Sequence, residues 1–397
     1  MFLCRLGARR QIHHRLNTSN VAAYLSRLAG EELHRVPHGD TVANYLATLA
    51  VEALAALRTD LVRQLLEGRH LEKFRLLDRD YLVALDGTGC LVLGNRPTPF
   101  TDGCLTQTLS NGETLYYRPV LEAKLVTRTG LVLSVETEFL ENPPRRDDQS
   151  AEAYKQDCEL KGAYRLLPRL HDAFPRLPIC LLLDGLYACE PVFALAERCG
   201  WHFIIVLKDG SLPTVGREFQ ALAPQQPENT CSKSTKTVRQ VFRWVNDIDH
   251  DGRPLHVLEC VETPRDGTEP TTWRWVTNLP ITRETAIALA NEGGRQRWHI
   301  ENEGFRVQKH GGYEMEHAYA ERPEAARNFY LLLQIGHLMA QLFEAHQGGK
   351  KRVAHDCGSL RNLARLLLEA FRTDRLPSPE EVDAFLATAI QVRLDSS

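Results

Sequence analysis

Residues 177–185 read LPICLLLDG: an uninterrupted apolar run, Ile179 to Leu183, ends in Asp184 and Gly185. A run of that length without polar alternation suits a strand buried on both faces, the kind that parallel sheets covered by helices contain. Upstream, the polar stretch ENPPRRDDQS (141–150) leads into a helical segment from about Ala151 to Phe174. Downstream, Pro191 opens a helix that ends at Gly200, and WHFIIVLK (201–208) supplies another strand. Further towards the N-terminus, YLVALDGTG (81–89) is a short apolar run ending in an acidic turn. YYRPVLEAKLV (116–126) and LVLSVETEFL (131–140) then read as a β-hairpin turned at Thr127-Arg128-Thr129-Gly130.

The flanks differ in character. Ser19 to about Glu72 has helical spacing, with Asp40 as the N-cap of the segment PHGDTVANYLATL. Between Lys208 and Pro280 helical periodicity is lost, and TVRQVFRWVN, LHVLECVET and TWRWVTNL are separated by turns at Asp251-Gly252 and Asp266-Gly267. These strands imply an inserted β-rich subdomain. From Ile281 onward the pattern is helical, with Pro323 in the first turn of one helix and a last helix near Pro379. The division is a helical N-terminal unit (1–76), an α/β core in two parts (77–207 and 281–346), the β insertion (208–280) and a C-terminal helical region (347–397).

With 43% hydrophobic and 25% charged residues, the chain has the make-up of a globular protein. Its net charge of −3 gives no bulk attraction for nucleic acid, so any basic surface must be local. One such patch is N-terminal: Arg5, Arg9, Arg10, His13, His14 and Arg15 precede the first acid, Glu31. Ten scattered cysteines without a C-x-x-C pair read as reduced thiols of a cytosolic protein rather than a zinc site. The N-terminal apolar run is too short for a secretion signal. The most apolar helix, NFYLLLQIGHLMAQLFEA (328–345), is interrupted by Gln334, His337 and Gln341, which argues against a membrane span.

Asp86 and Asp184 share a setting, each after an apolar strand and each followed by Gly. Alone, either could be a turn or cap aspartate. Together on neighbouring parallel strands they would lie side by side, and their repulsion calls for a divalent cation. A third element is GRQRWHIENEGFRVQKHGGYEMEH (294–317), where helical spacing puts Arg297, Glu301, Phe305 and Gln308 or Lys309 on one face, with Trp298 and Ile300 packing to either side. Arg297 and Glu301 could also be an ordinary i,i+4 surface pair.

Three strands, helix, strand, helix, strand is the order of an RNase H-like core, a mixed five-stranded sheet with helices on both faces. ALDGTG, LLLDG, KQDCELKGAYRLL and RWHIENEGFRVQK together resemble the DDE transposases of bacterial insertion sequences, in particular the group with a Tyr-Arg-Glu-Lys signature helix and a β-rich insertion. The resemblance runs from about Tyr81 to Phe343. It implies a catalytic and metal-binding triad of Asp86, Asp184 and Glu301, with Arg297 as the family arginine. Two positions depart from the pattern: the family tyrosine falls at Gly294, and its lysine falls at Gln308, with Lys309 one place later. Glu303 remains the alternative third ligand.

Such a triad suits phosphodiester hydrolysis and strand transfer with two Mg²⁺ per active site, about 4 Å apart, or Mn²⁺ in their place. Asp86 would bridge the two ions. The expected partner is double-stranded DNA, both transposon ends and target, and the family implies a homodimer on that DNA in the bacterial cytoplasm. Lys233, Lys236, Arg239 and Arg243 interleave with Trp244, Trp273 and Trp275, as phosphate contacts and base stacking require, although the same tryptophans fit the core of a small sheet. Arg295, Arg297, Arg306 and Lys309 add charge near the triad. Lys124, on a strand beside that of Asp86, reads as a further phosphate contact or as an ordinary strand residue. Two other readings stay open: a silent transposase-derived DNA-binding protein, and an actin-like phosphotransferase, which calls for a second Gly-rich phosphate loop where LLLDGLYAC has one Gly.

Overall fold

In a computed structural model, which describes residues 1–95, 97–98, 100–142, 157–317, 319–346, 349–374, 377–387 and 393–394, the apolar run Ile179–Leu183 is a strand buried at every position. It has parallel neighbours on both sides, as its unbroken hydrophobicity requires. The strands are β1 (Tyr81–Gly94), β2 (Leu105–Thr108), β3 (Thr114–Val126), β4 (Val132–Phe139), β5 (Ile179–Leu183), β6 (His202–Val206), β7 (Thr230–Ser234), β8 (Val238–His250), β9 (Arg253–Pro264) and β10 (Thr271–Thr277). They form one mixed, open sheet of ten strands in the order β2-β3-β1-β5-β6-β10-β9-β8-β7, with β4 also on β3.

Within it, β1, β3 and β4 are antiparallel in succession, and β5 and β6 run parallel to β1. The expected order of five strands is therefore present, but the sheet does not stop there. β10 pairs antiparallel with β6, so the strands of 208–280 extend the core sheet instead of forming a detached one. Two elements carry no clear signal in the sequence. β2 forms a hairpin with the start of β3, and a helix occupies Pro213–Leu222, where only Val215 and Phe219 are buried and Gly216 interrupts the pattern.

The other helices of eight or more residues begin with α1 (Ser19–Ala29), α2 (Gly39–Leu46), α3 (Val51–Glu67), α4 (Glu159–Ala173) and α5 (Glu190–Arg198); Pro213–Leu222 is α6. Then come α7 (Pro323–Ala345), α8 (Leu360–Thr373) and α9 (Pro379–Leu386). The expected start of α4 at Ala151 lies outside the described residues. Asp40 is not the cap of α2. His38 is, its ring nitrogen accepting the Asp40 amide, while Asp40 pairs with Arg9 at 2.8 Å.

Alternation along the strands divides the core. Val83 and Leu85 of β1 pack with α4 and α5 through Leu166, Leu170 and Phe193. Leu82 and Ala84 point the other way, to a cluster containing Leu289, Ile300 and Phe329. The polar residues that interrupt α7 anchor it: Gln341 exchanges hydrogen bonds with the Val132 backbone, and Gln334 accepts one from Lys124. Among the described residues no helix is long and apolar enough to cross a membrane.

Candidate active site

The register of β1 and β5 sets the site. Ala84 lies opposite Leu182, so Asp86 and Asp184, each two residues further on, come level where β5 ends. The sequence places Asp86 in a turn after its strand. In fact β1 continues to Gly94, paired with β3 alone, and what ends at Asp86 is the neighbouring strand. Strand alternation puts Asp86 on the Leu82 and Ala84 side, which is the side covered by residues 286–310.

That covering segment is not a regular helix. It bends at Gly293, tightens to a 3₁₀ turn over Gly294–Trp298 and widens to a π turn over Ile300–Phe305. Two glycines seat it on the sheet. A Cβ at Gly293 would meet the Ile204 side chain at 2.6 Å, and one at Gly294 would meet the Trp275 indole at 2.5 Å. Gly294 is thus closed over by a tryptophan. A π turn accommodates one extra residue, so Lys309 rather than Gln308 follows Glu301 along the outer face. Gln308 is fully buried against Gln334 and His337, and Lys309 pairs with Glu316 at 2.8 Å.

Arg297 ties the site together. Its two terminal nitrogens reach Asp86 at 3.2 Å and Glu301 at 3.1 Å. Glu301 is therefore the acid beside Asp86. Glu303 turns away, pairs with His299 at 2.9 Å and lies against Gly130 of the β3–β4 turn. Burial raises the Asp86 carboxyl to about 7; Arg297 opposes this, and the charges of Glu301 and Glu159 add to it. Burial also works against a charge on Asp184, but Lys208, the Leu186 amide and Arg297 outweigh it and hold the group below its ordinary value. The Lys208 ammonium lies 2.7 Å from Asp184.

Glu159 and Lys208 do not stand out in the sequence. Lys208 follows strand β6 much as Asp184 follows β5, and that common position at adjacent parallel strand ends was the available signal. Glu159 opens α4 inside the quoted stretch KQDCELKGAYRLL, where it was not singled out from its neighbours.

Several expected DNA contacts are placed otherwise. Lys124 is fully buried, donates to Gln334 at 2.7 Å and lies 3.8 Å from Glu122. It is an interior residue, and burial lowers its ammonium to about 8. Trp244 and Trp275 are core, flanking Leu258 across β8, β9 and β10. Arg243 is engaged with Glu259. Lys233, Lys236, Arg239 and Arg306 are exposed. The exposed indoles are Trp273, 41% accessible, stacked on Trp275 with the Arg295 guanidinium above it, and Trp298, 49% accessible, stacked on His299. Ile300 packs inward as expected and Trp298 does not. At the N-terminus, Arg5 donates to the Gly311 carbonyl and Arg9 to that of Tyr319, so part of that basic patch is spent on packing.

Hard carboxylate oxygens crowded at a strand end fit a divalent cation by type. Among the described residues no three such groups are already gathered as a ligand set: Arg297 lies between Asp86 and Glu301, and Lys208 sits on Asp184. No family model matches this chain, and no curated protein matches it.

Proposed function

We propose that the chain is a DDE-type DNA transposase built on an RNase H-like core. The observation that carries this reading is the meeting of Asp86 and Glu301 on one guanidinium across the 211 residues that separate Asp86 from Arg297, with Asp184 level on the adjacent strand. The strand order β4-β3-β1-β5-β6 supports the core assignment.

Asp86, Asp184 and Glu301 would hold divalent cations, Mg²⁺ or Mn²⁺, whose chemistry is to activate water or a 3′-hydroxyl and to stabilise the leaving oxygen. The chain's own residues do the rest. Arg297 orients Asp86 and Glu301. Exposed Lys233, Lys236, Arg239 and Arg306 offer phosphate contacts that fix DNA in register. Trp273 and Trp298 present flat surfaces on which an unpaired base can stack. The reaction is hydrolysis at the transposon ends followed by attack of the freed 3′-hydroxyl on target DNA, in the bacterial cytoplasm. Two ends call for two copies of the chain.

The test is cleavage of end-containing DNA in Mg²⁺. Asp184→Ala should fall to background while its circular dichroism spectrum stays that of the wild type. A variant as active as wild type would remove the triad from the reaction.

A further inference from the structure

We propose a second nucleic-acid site, an arginine-lined groove between the N-terminal segment and α8 that holds the phosphodiester backbone of duplex DNA. The choice of ligand rests on the reading of the chain as a DNA-handling protein; the groove itself needs none of Asp86, Asp184 and Glu301. Its two walls come from opposite ends of the chain. Cys4 and Leu6 pack on Leu368 of α8, and the Asn20 amide donates to the carbonyls of Phe371 and Asp374, at 3.1 and 2.6 Å, where α8 ends. The helix is amphipathic. Ala364 and Leu368, one turn apart, are buried, while Arg361 and Arg365, also one turn apart, are exposed. Between the walls lies an open groove of about 520 Å³, with Arg5 and Arg15 on one side and Arg361 and Arg365 on the other.

Charge decides what the groove can take. Among the described residues no hydrogen bond or ion pair engages Arg361 or Arg365. Arg5 donates to the Gly311 carbonyl and Arg15 to the neutral Gln11 side chain, at 3.4 Å, so both keep their charge uncompensated. Of the two acids in the lining, Glu369 is paired with Arg372 at 3.3 Å, which leaves Glu314 against four guanidinium groups. Guanidinium forks match phosphate oxygens in pairs, and several of them around a concavity draw an anion into it. Among the described residues no side chain lining the groove is aromatic. It therefore offers no surface on which an unpaired base could stack, unlike the exposed indoles of Trp273 and Trp298. What fits is a sugar-phosphate backbone whose bases are already paired, held without regard to sequence.

The experiment is fluorescence anisotropy of a labelled DNA duplex with the full chain, without divalent cations, across a series of KCl concentrations. Four proteins are compared: wild type, the pair Arg361→Gln with Arg365→Gln, the pair Arg361→Lys with Arg365→Lys, and Arg15→Gln. All three positions are exposed, so no substitution leaves a buried gap. The glutamine pair should weaken duplex binding by about tenfold or more and reduce the slope of log affinity against log salt by about 1.8, which is about 0.9 for each of two phosphate contacts. Arg15→Gln, on the other wall, should reduce the slope by about 0.9. The lysine pair keeps the charge and should keep the slope. If the glutamine variants bind with wild-type affinity and slope, the groove holds no DNA and this inference falls, while the triad and the β7–β8 hairpin are untouched. If wild type itself binds no duplex, the reading of the chain as a DNA-handling protein fails and the inference fails with it. A single strand of the same length, bound as tightly as the duplex and weakened equally by the glutamine pair, would overturn the assignment to duplex.

Discussion

His337 shows how single side chains here are fixed by what covers them. It is buried in α7, its Nδ1 accepts the Gln308 amide at 3.0 Å, and Tyr313 packs edge-on against its ring. Burial, with the positive charges of Lys124 and Arg5, lowers its pKa to about 3. In the unfolded chain it titrates near 6.5. The folded value is the lower one, so the unfolded state takes up a proton first. Stability is complete above pH 6.5 and is lost as the pH falls from there towards 3. The slope approaches about 1.4 kcal/mol per pH unit. Urea denaturation at pH 7 and pH 5 should show wild type losing about 2 kcal/mol more than His337→Asn over that interval. Parallel losses would mean that His337 is protonated in the fold. At this scale Asp86 and Asp184 were legible because a charged residue closing an apolar run must have a partner. Glu301 was legible through Arg297 one turn before it. Glu159, one acid among 51, was not, because its place depends on the room left by Gly87, far away in the chain. Lys124 was left open between two readings for a related reason: its strand position says nothing of α7 and Gln308 above it.

Among the elements, β10 separates two roles for one residue type. Trp273 and Trp275 are two apart and share a face, yet Trp275 is 1% accessible under Gly294 and Trp273 is at the open end of the row. Trp275→Ala should cost about 3–5 kcal/mol of stability, as expected for an aromatic removed from a packed core. Trp273→Ala should change stability by no more than about 0.5 kcal/mol and weaken single-stranded DNA binding by about 1–3 kcal/mol if it stacks a base. Chemical denaturation and fluorescence anisotropy read the two quantities separately. Equal stability losses, or unchanged binding by Trp273→Ala, would remove the platform. The covering segment was hard to read for a similar reason. A regular helix brings Gln308 onto the face of Glu301. The π turn over Ile300–Phe305 moves the outer face to Lys309, and such a turn is set by seating on the sheet through Gly293 and Gly294, not by local propensity. The helix α6 escaped the sequence because its two buried residues, Val215 and Phe219, give a weak period.

For the whole molecule, the order of five strands could be read because each connection is local or crosses over a helix. The junction of β6 with β10 could not, since a detached sheet and an extension of the core show the same alternation along each strand, and only long-range pairing of Val206 with Trp275 decides between them. That continuity puts the β7–β8 hairpin in the same sheet as β5, which Asp184 follows, with Lys233, Lys236 and Arg239 exposed along it. A chain of net charge −3 gains nothing from its bulk field on DNA, so affinity must come from such local groups, each releasing counterions from the phosphates it meets. The logarithm of the binding constant should therefore fall linearly with the logarithm of salt concentration. Replacing Lys233, Lys236 and Arg239 together by Gln should reduce the magnitude of that slope by nearly 3, about 0.9 for each phosphate contact. Arg243, already engaged with Glu259, should leave the slope almost unchanged when replaced in the same way. Anisotropy titrations of duplex DNA across a series of KCl concentrations measure both. A triple variant with the wild-type slope would move the DNA path away from this hairpin altogether.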